Sequence, residues 1–161
     1  MVEIVTFARN EIMCCILHIS GVNFNVDAFI AKSNVRPYKV FYKGEPRLKT
    51  KPYGQKMERS GLSILVSKAD FDNMERQVKD ATSYLKRNKQ KLMHIARTKG
   101  IQYATLDFGI DCQINGEKQL VQSEVLPSKL LQLAGNLKLS IELSLYARNM
   151  QELMERIHDQ E

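Results

Sequence analysis

Between residues 36 and 59 lie eight basic side chains, Arg36, Lys39, Lys43, Arg47, Lys49, Lys51, Lys56 and Arg59, opposed only by Glu45 and Glu58. That segment accounts for the chain's whole formal charge of +6, and the remainder is neutral. Tyr38, Phe41, Tyr42 and Tyr53 are interleaved with the cations. Lys and Arg neutralise phosphates and planar rings stack on unpaired bases, so the pattern suits a nucleic acid or another polyanion. It equally describes a solvated basic loop that maintains solubility and steers acidic partners. A second basic set, Lys86, Arg87, Lys89, Lys91, Arg97 and Lys99, wraps more than one side of its helix. Cations near a helix C-terminus also complement the macrodipole with no ligand involved.

Constellations for catalysis are thin. Asp107 and Asp111 share one face of a strand, but four residues at ~3.3 Å each put them about 13 Å apart, too far for a coupled carboxylate pair. No nucleophile elbow, phosphate-cradling glycine loop or dinucleotide glycine fingerprint occurs, so no cofactor is expected. His18 lies in the most apolar strand and reads as a satisfied core imidazole rather than a base. Cys14, Cys15 and Cys112 are an odd count with two adjacent, a poor disulfide framework, and read as small buried hydrophobes. His18, His94 and His158 stand at no ligand spacing from them, so no metal site is expected.

The elements that must position these groups follow from periodicity. Residues 11–19 (EIMCCILHI) form a nearly continuous apolar run, read as a strand buried on both faces. Asn25 can cap a short helix carrying Val26, Phe29 and Ile30 on one face. Residues 38–42 predict a strand, 44–60 a loop rich in Gly and Pro, and 61–67 a third strand. The longest element is a helix over residues 69–99, opened by Ser67 with Asp70 and closed by Gly100, with Phe71, Met74, Val78, Ala81, Leu85, Leu92 and Ile95 in one stripe. Alternation predicts a one-sided strand over 104–114, a turn at Asn115-Gly116 and a returning hairpin strand over 118–125. Pro127 opens a helix that Gly135 closes. Leu137, Leu139, Ile141, Leu143 and Leu145 alternate as a strand facing the helices, with Ile141 in the middle of that face.

This order is that of an α+β protein, a ferredoxin-like split βαβ antiparallel sheet with one long helix, extended by an extra helix, a strand and a C-terminal helix. One domain over 1–161 is expected, with its core over 11–147 and an amphipathic helix over 148–161. The last helix carries Met150, Leu153, Met154 and Ile157, an interface for a homodimer or a cover for the exposed sheet face. No run approaches ~18 apolar residues and no basic-then-apolar leader opens the chain, so a cytoplasmic placement with reduced thiols and no membrane contact is expected.

Several features together resemble a known family. They are the strand over 15–21, Pro37, Lys43-Gly44-Glu45, the short strand over 61–67 with its long helix, the leucine-rich turn over 126–135, and the strand over 137–146 ending in Tyr. They are similar to a domain-of-unknown-function family of small bacterial proteins, over residues 12–147. The resemblance implies the fold and a bacterial origin, and brings no activity, cofactor or site residue with it.

Three functions fit these residues. The first is a non-catalytic protein-binding domain of the immunity or regulatory kind, whose partner is acidic because the chain itself is basic. The second is a polyanion binder using Arg36, Lys39, Lys43, Arg47, Lys49, Lys51, Tyr53, Lys56 and Arg59. The third is an enzyme whose site assembles from scattered polar residues.

Overall fold

The computed structural model of the chain describes residues 15–115 and 118–147. Five strands form one sheet: β1 (Cys15–Gly21), β2 (Lys39–Phe41), β3 (Ser60–Ser67), β4 (Tyr103–Asp111) and β5 (Ser140–Tyr146), in the order β2-β3-β1-β4-β5. β3 runs antiparallel to β2 and β1, and β1 antiparallel to β4. β1 and β2 are therefore parallel with β3 between them, and β3 and β4 are parallel with β1 between them. The protein is α+β, but its sheet is mixed rather than wholly antiparallel, because β5 pairs with β4 in parallel. A parallel neighbour needs a crossover, and α4 (Ser128–Asn136) supplies it.

The returning strand expected over 118–125 does not form. Both edges of β4 are taken, by β1 and by β5, so a hairpin partner has nowhere to pair. Gln122 anchors the segment through its side chain instead, donating to the Asp111 carbonyl at 3.0 Å and accepting from the Gln113 N–H at 2.8 Å. Leu120, Val121 and Val125 are left exposed. Gly116 lies outside the described residues, as do positions 11–14 of the first predicted strand and the whole C-terminal stripe of Met150, Leu153, Met154 and Ile157.

The long helix over 69–99 is a second correction. Ser67 accepts from the Ala69 N–H and donates to Asp80, so its hydroxyl serves a turn. The helix cap is Asn73, whose side chain accepts from the Arg76 N–H at 3.1 Å, and α2 spans Met74–Arg87. At 1.5 Å per residue its 14 residues are about 21 Å long, close to the length of the strands beneath. Asn88 then breaks the axis, its side-chain amide donating to the Tyr84 carbonyl at 3.0 Å. The chain continues as α3 (Lys89–Leu92) and one 3₁₀ turn, Ile95–Arg97. A straight rod of ~45 Å would carry Leu92 and Ile95 past the sheet; the break keeps both buried in the core.

α1 (Val26–Ser33) is capped by Asn25, which accepts from the Ala28 N–H at 3.0 Å. α4 ends in a Schellman motif: Leu139 N–H donates to the Ala134 carbonyl and Lys138 N–H to that of Gly135, with Lys138 at φ 60°. The left-handed position is thus held by Lys138, not by Gly135, which sits inside the last turn. Leu137 and Leu139 are buried in this motif, and the strand begins only at Ser140.

One face of the sheet carries Cys15, Leu17, Ile19, Leu62, Ile64, Leu106, Phe108 and Ile110. Val26 and Phe29 of α1, Val78, Ala81 and Leu85 of α2, Leu92 of α3 and Leu130 and Ala134 of α4 join them in a single apolar cluster. The opposite face bears His18, Ser20, Ser63, Tyr103, Thr105 and Asp107. Among the described residues, no helix is long and apolar enough to cross a membrane.

Candidate functional site

The basic segment predicted as a loop is a loop, folded into an arm whose two limbs are tied by backbone bonds and one isolated bridge, Pro46 with Lys56. Gly44 N–H donates to the Met57 carbonyl, Met57 N–H to that of Glu45 and Arg47 N–H to that of Gln55, each at 2.8 Å. Turns at Lys51 and Gly54 close the tip, where Lys49, Lys51 and the fully exposed Tyr53 lie. The base is fixed from two sides. Glu45 accepts from the Tyr42 N–H at 3.0 Å, and the Tyr42 hydroxyl donates to Asp27 of α1 at 2.7 Å, a bond to a carboxylate that raises the phenol's pKa.

Where the arm meets the polar sheet face it encloses a cleft of about 370 Å³. Phe41 and Ser20 belong to the sheet; Arg47, Gln55, Lys56, Met57, Glu58 and Arg59 come from the arm and its return to β3. Arg59 lies 4.2 Å from the ring centroid of Tyr103 and also donates to its hydroxyl at 3.4 Å. Of the predicted cations, the fold brings Arg47, Lys56 and Arg59 together here. Lys39 sits instead on the polar face in register with Ser63, and neither Arg36 nor Lys43 lines the cleft. Tyr103 was missed as a site residue, although the alternation of β4 places it on the same face as Asp107.

Deeper on the polar face, His18 Nδ1 lies 2.9 Å from Ser63 Oγ. Burial pushes the imidazole pKa down, offset in part by the Asp107 and Glu142 carboxylates. Burial pushes Asp107 up, while a 2.7 Å hydrogen bond donated by Ser144 favours its charged form. Ser63 is only 3% exposed, so its hydroxyl is closed to any substrate. Among the described residues no three His, Cys, Asp or Glu side chains converge on a metal position.

The far edge of the sheet is chemically opposite. Ile141, Leu143 and Leu145 stand in register with Leu106, Phe108 and Ile110 and share their face. The expectation that they pack under the helices fails toward the end of β5, where Leu143 is 43% and Leu145 65% exposed. Leu131 of α4 is also exposed. The aliphatic exposure of β5 thus lies on the opposite sheet face from the basic, aromatic cleft.

Neither the curated proteins nor the solved structures compared with this chain include a match. A family model does match, over residues 10–148, the span of the arm, the cleft and the whole sheet. The chain belongs to the family described as Domain of unknown function (DUF4279).

Proposed function

We propose that this protein is a non-catalytic binding module whose partner is a protein docked along β5. The observation that carries the reading is the exposure of Leu143 and Leu145 on a strand at the edge of the sheet. Edge strands are ordinarily blunted by Lys, Pro, a bulge or a covering element, because their unpaired N–H and C=O groups recruit other chains. β5 (SIELSLY) has no Lys or Pro and a single charge, Glu142. The occupant that fits is an extended, apolar segment of an acidic protein, added as a sixth strand: main-chain bonds supply affinity and alternate side chains meet the leucines. The chain's charge of +6 steers such a partner toward it. The burial of Ser63 supports binding over catalysis, since it closes off the hydroxyl that His18 faces.

Hydrogen exchange of the full chain tests this, using synthetic strand peptides with alternating Val and Ile and acidic flanks. Slowed exchange of β5 amides in the wild type, lost in a Leu143→Lys/Leu145→Lys double variant of unchanged circular dichroism, is the expected result. Light scattering runs in parallel. A stable dimer through β5 would replace the foreign partner by a second copy, and unchanged β5 exchange with every peptide would remove the docking strand.

A further inference from the structure

We propose that the cleft between the arm and the polar sheet face binds single-stranded nucleic acid. The site lies on the opposite sheet face from Leu143 and Leu145 and does not depend on the protein-binding reading. Phe41, Gly61, Ser20 and Tyr103 form one cross-strand row, paired successively across β2, β3, β1 and β4. A Cβ at Gly61 would collide with the Phe41 ring, so glycine is what lets that ring lie down on the sheet. Tyr103, half exposed at the other end of the row, is the second ring. The row is therefore a low surface in which the Phe41 ring covers Gly61, Ser20 lies beside it and the half-exposed Tyr103 ends the row, the form of a stacking platform.

Cations are arranged around that surface. Arg59 rests on Tyr103 and spends one donor on its hydroxyl, which leaves most of its five N–H groups for phosphate. Arg47 is steadied by a bond to Gln55 at 3.2 Å, and Lys56 by one to the Pro52 carbonyl at 2.9 Å. Among the described residues, Glu58 is the one carboxylate lining the cleft against these three cations. Lys49, Lys51 and Tyr53 extend the same chemistry to the tip of the arm. A single strand exposes both a backbone for the cations and base faces for the rings. A duplex hides its base faces and keeps only the first contact, which makes strand state the distinguishing variable.

Fluorescence anisotropy of the full chain with labelled oligo-dT, oligo-U and duplex of about twelve units, from roughly 50 to 200 mM salt, tests the proposal. The single strands bind, DNA and RNA alike, and the duplex binds at least about tenfold more weakly. Tyr103→Ala weakens single strands by roughly 5- to 150-fold and the duplex hardly at all, and Tyr103→Phe, which keeps the ring, restores binding. Arg59→Ala lowers the salt slope by about one, and Lys49→Ala with Lys51→Ala by about two. Thermal melts of each variant separate loss of site from loss of fold. No binding at the low-salt end overturns the proposal. So does equal affinity for duplex and single strand with no effect of Tyr103→Ala, because the arm would then be a charged surface without a platform.

Discussion

His18 and Ser63 face each other across the β1–β3 pair, with Nδ1 and Oγ 2.9 Å apart, on the sheet face opposite the main core. Burial lowers the imidazole pKa from its ordinary 6.5; Asp107 and Glu142 pull it up and Lys39 pushes it down again. The native state therefore prefers neutral His18. As pH falls below 6.5 the unfolded chain takes up a proton that the folded chain still refuses, so stability present above 6.5 is lost until the folded pKa is passed. Asp107 acts in the other direction: its pKa is raised above 3.8, so it costs stability above the raised value and that cost vanishes at low pH. Urea midpoints measured between about pH 7.5 and 5.5 should fall for the wild type and stay flat for His18→Asn. Parallel curves for the two proteins would mean that another group sets the acid limb.

Phe71 and Tyr146 stack at 4.6 Å with their rings 11° from parallel, beside Gly109 of β4. A Cβ at Gly109 would enter the Phe71 ring, and Phe71 cannot retreat freely because its carbonyl accepts from the Asp111 N–H at 3.1 Å. Gly109→Ala should cost about 1–3 kcal/mol as an overpacking change. Combined with Phe71→Leu the two losses should fall short of their sum, since the second change removes what the first collides with. Strict additivity in a denaturation cycle would refute the contact.

The sequence pattern located most strands and helices because the apolar residues keep to one face, as in β4, where the buried Leu106, Phe108 and Ile110 alternate with the half-buried Thr105 and Asp107. The length of the 69–99 helix, ~45 Å as one rod, implied an overhang or a bend, but nothing located the break at Asn88, since Leu85, Leu92 and Ile95 keep helical spacing whether the axis is straight or bent. Alternation likewise states which face a residue takes but not which way its strand runs, so the parallel pairing of β5 was invisible. The arm is held by backbone bonds between polar residues and leaves no hydrophobic rhythm to read. The cleft needs Phe41 of β2 laid on Gly61 of β3 beside the arm, a coincidence of three segments that composition could only hint at through its interleaved rings and cations.

Lys138 holds the left-handed position of the Schellman motif at φ 60°, where an L side chain is strained and glycine is not. Lys138→Gly should therefore stabilise the protein by about 0.5–1 kcal/mol, relief of strain outweighing the extra freedom given to the unfolded chain. Thermal unfolding reads this directly. A drop in midpoint would show that the lysine side chain makes a contact worth more than the strain.

Leu106 and Ile141 are register partners in the β4–β5 pair, yet their surroundings differ. Leu106 is fully buried, flanked by β1 and packed beneath the helices, so Leu106→Ala leaves a cavity that cannot close and should cost about 3–5 kcal/mol. Ile141 was expected to be the centre of an equally covered face, but it is only partly buried on the edge strand. There the strand can settle inward and water already shares the surface, so Ile141→Ala should cost about 1–2 kcal/mol and Leu145→Ala less than about 0.5. Urea unfolding at constant m gives all three differences. A cost at Ile141 equal to that at Leu106 would mean that β5 is covered as deeply as β4. In that case Leu143 and Leu145 would have no surface to offer a partner, and the docking strand would fall with the gradient.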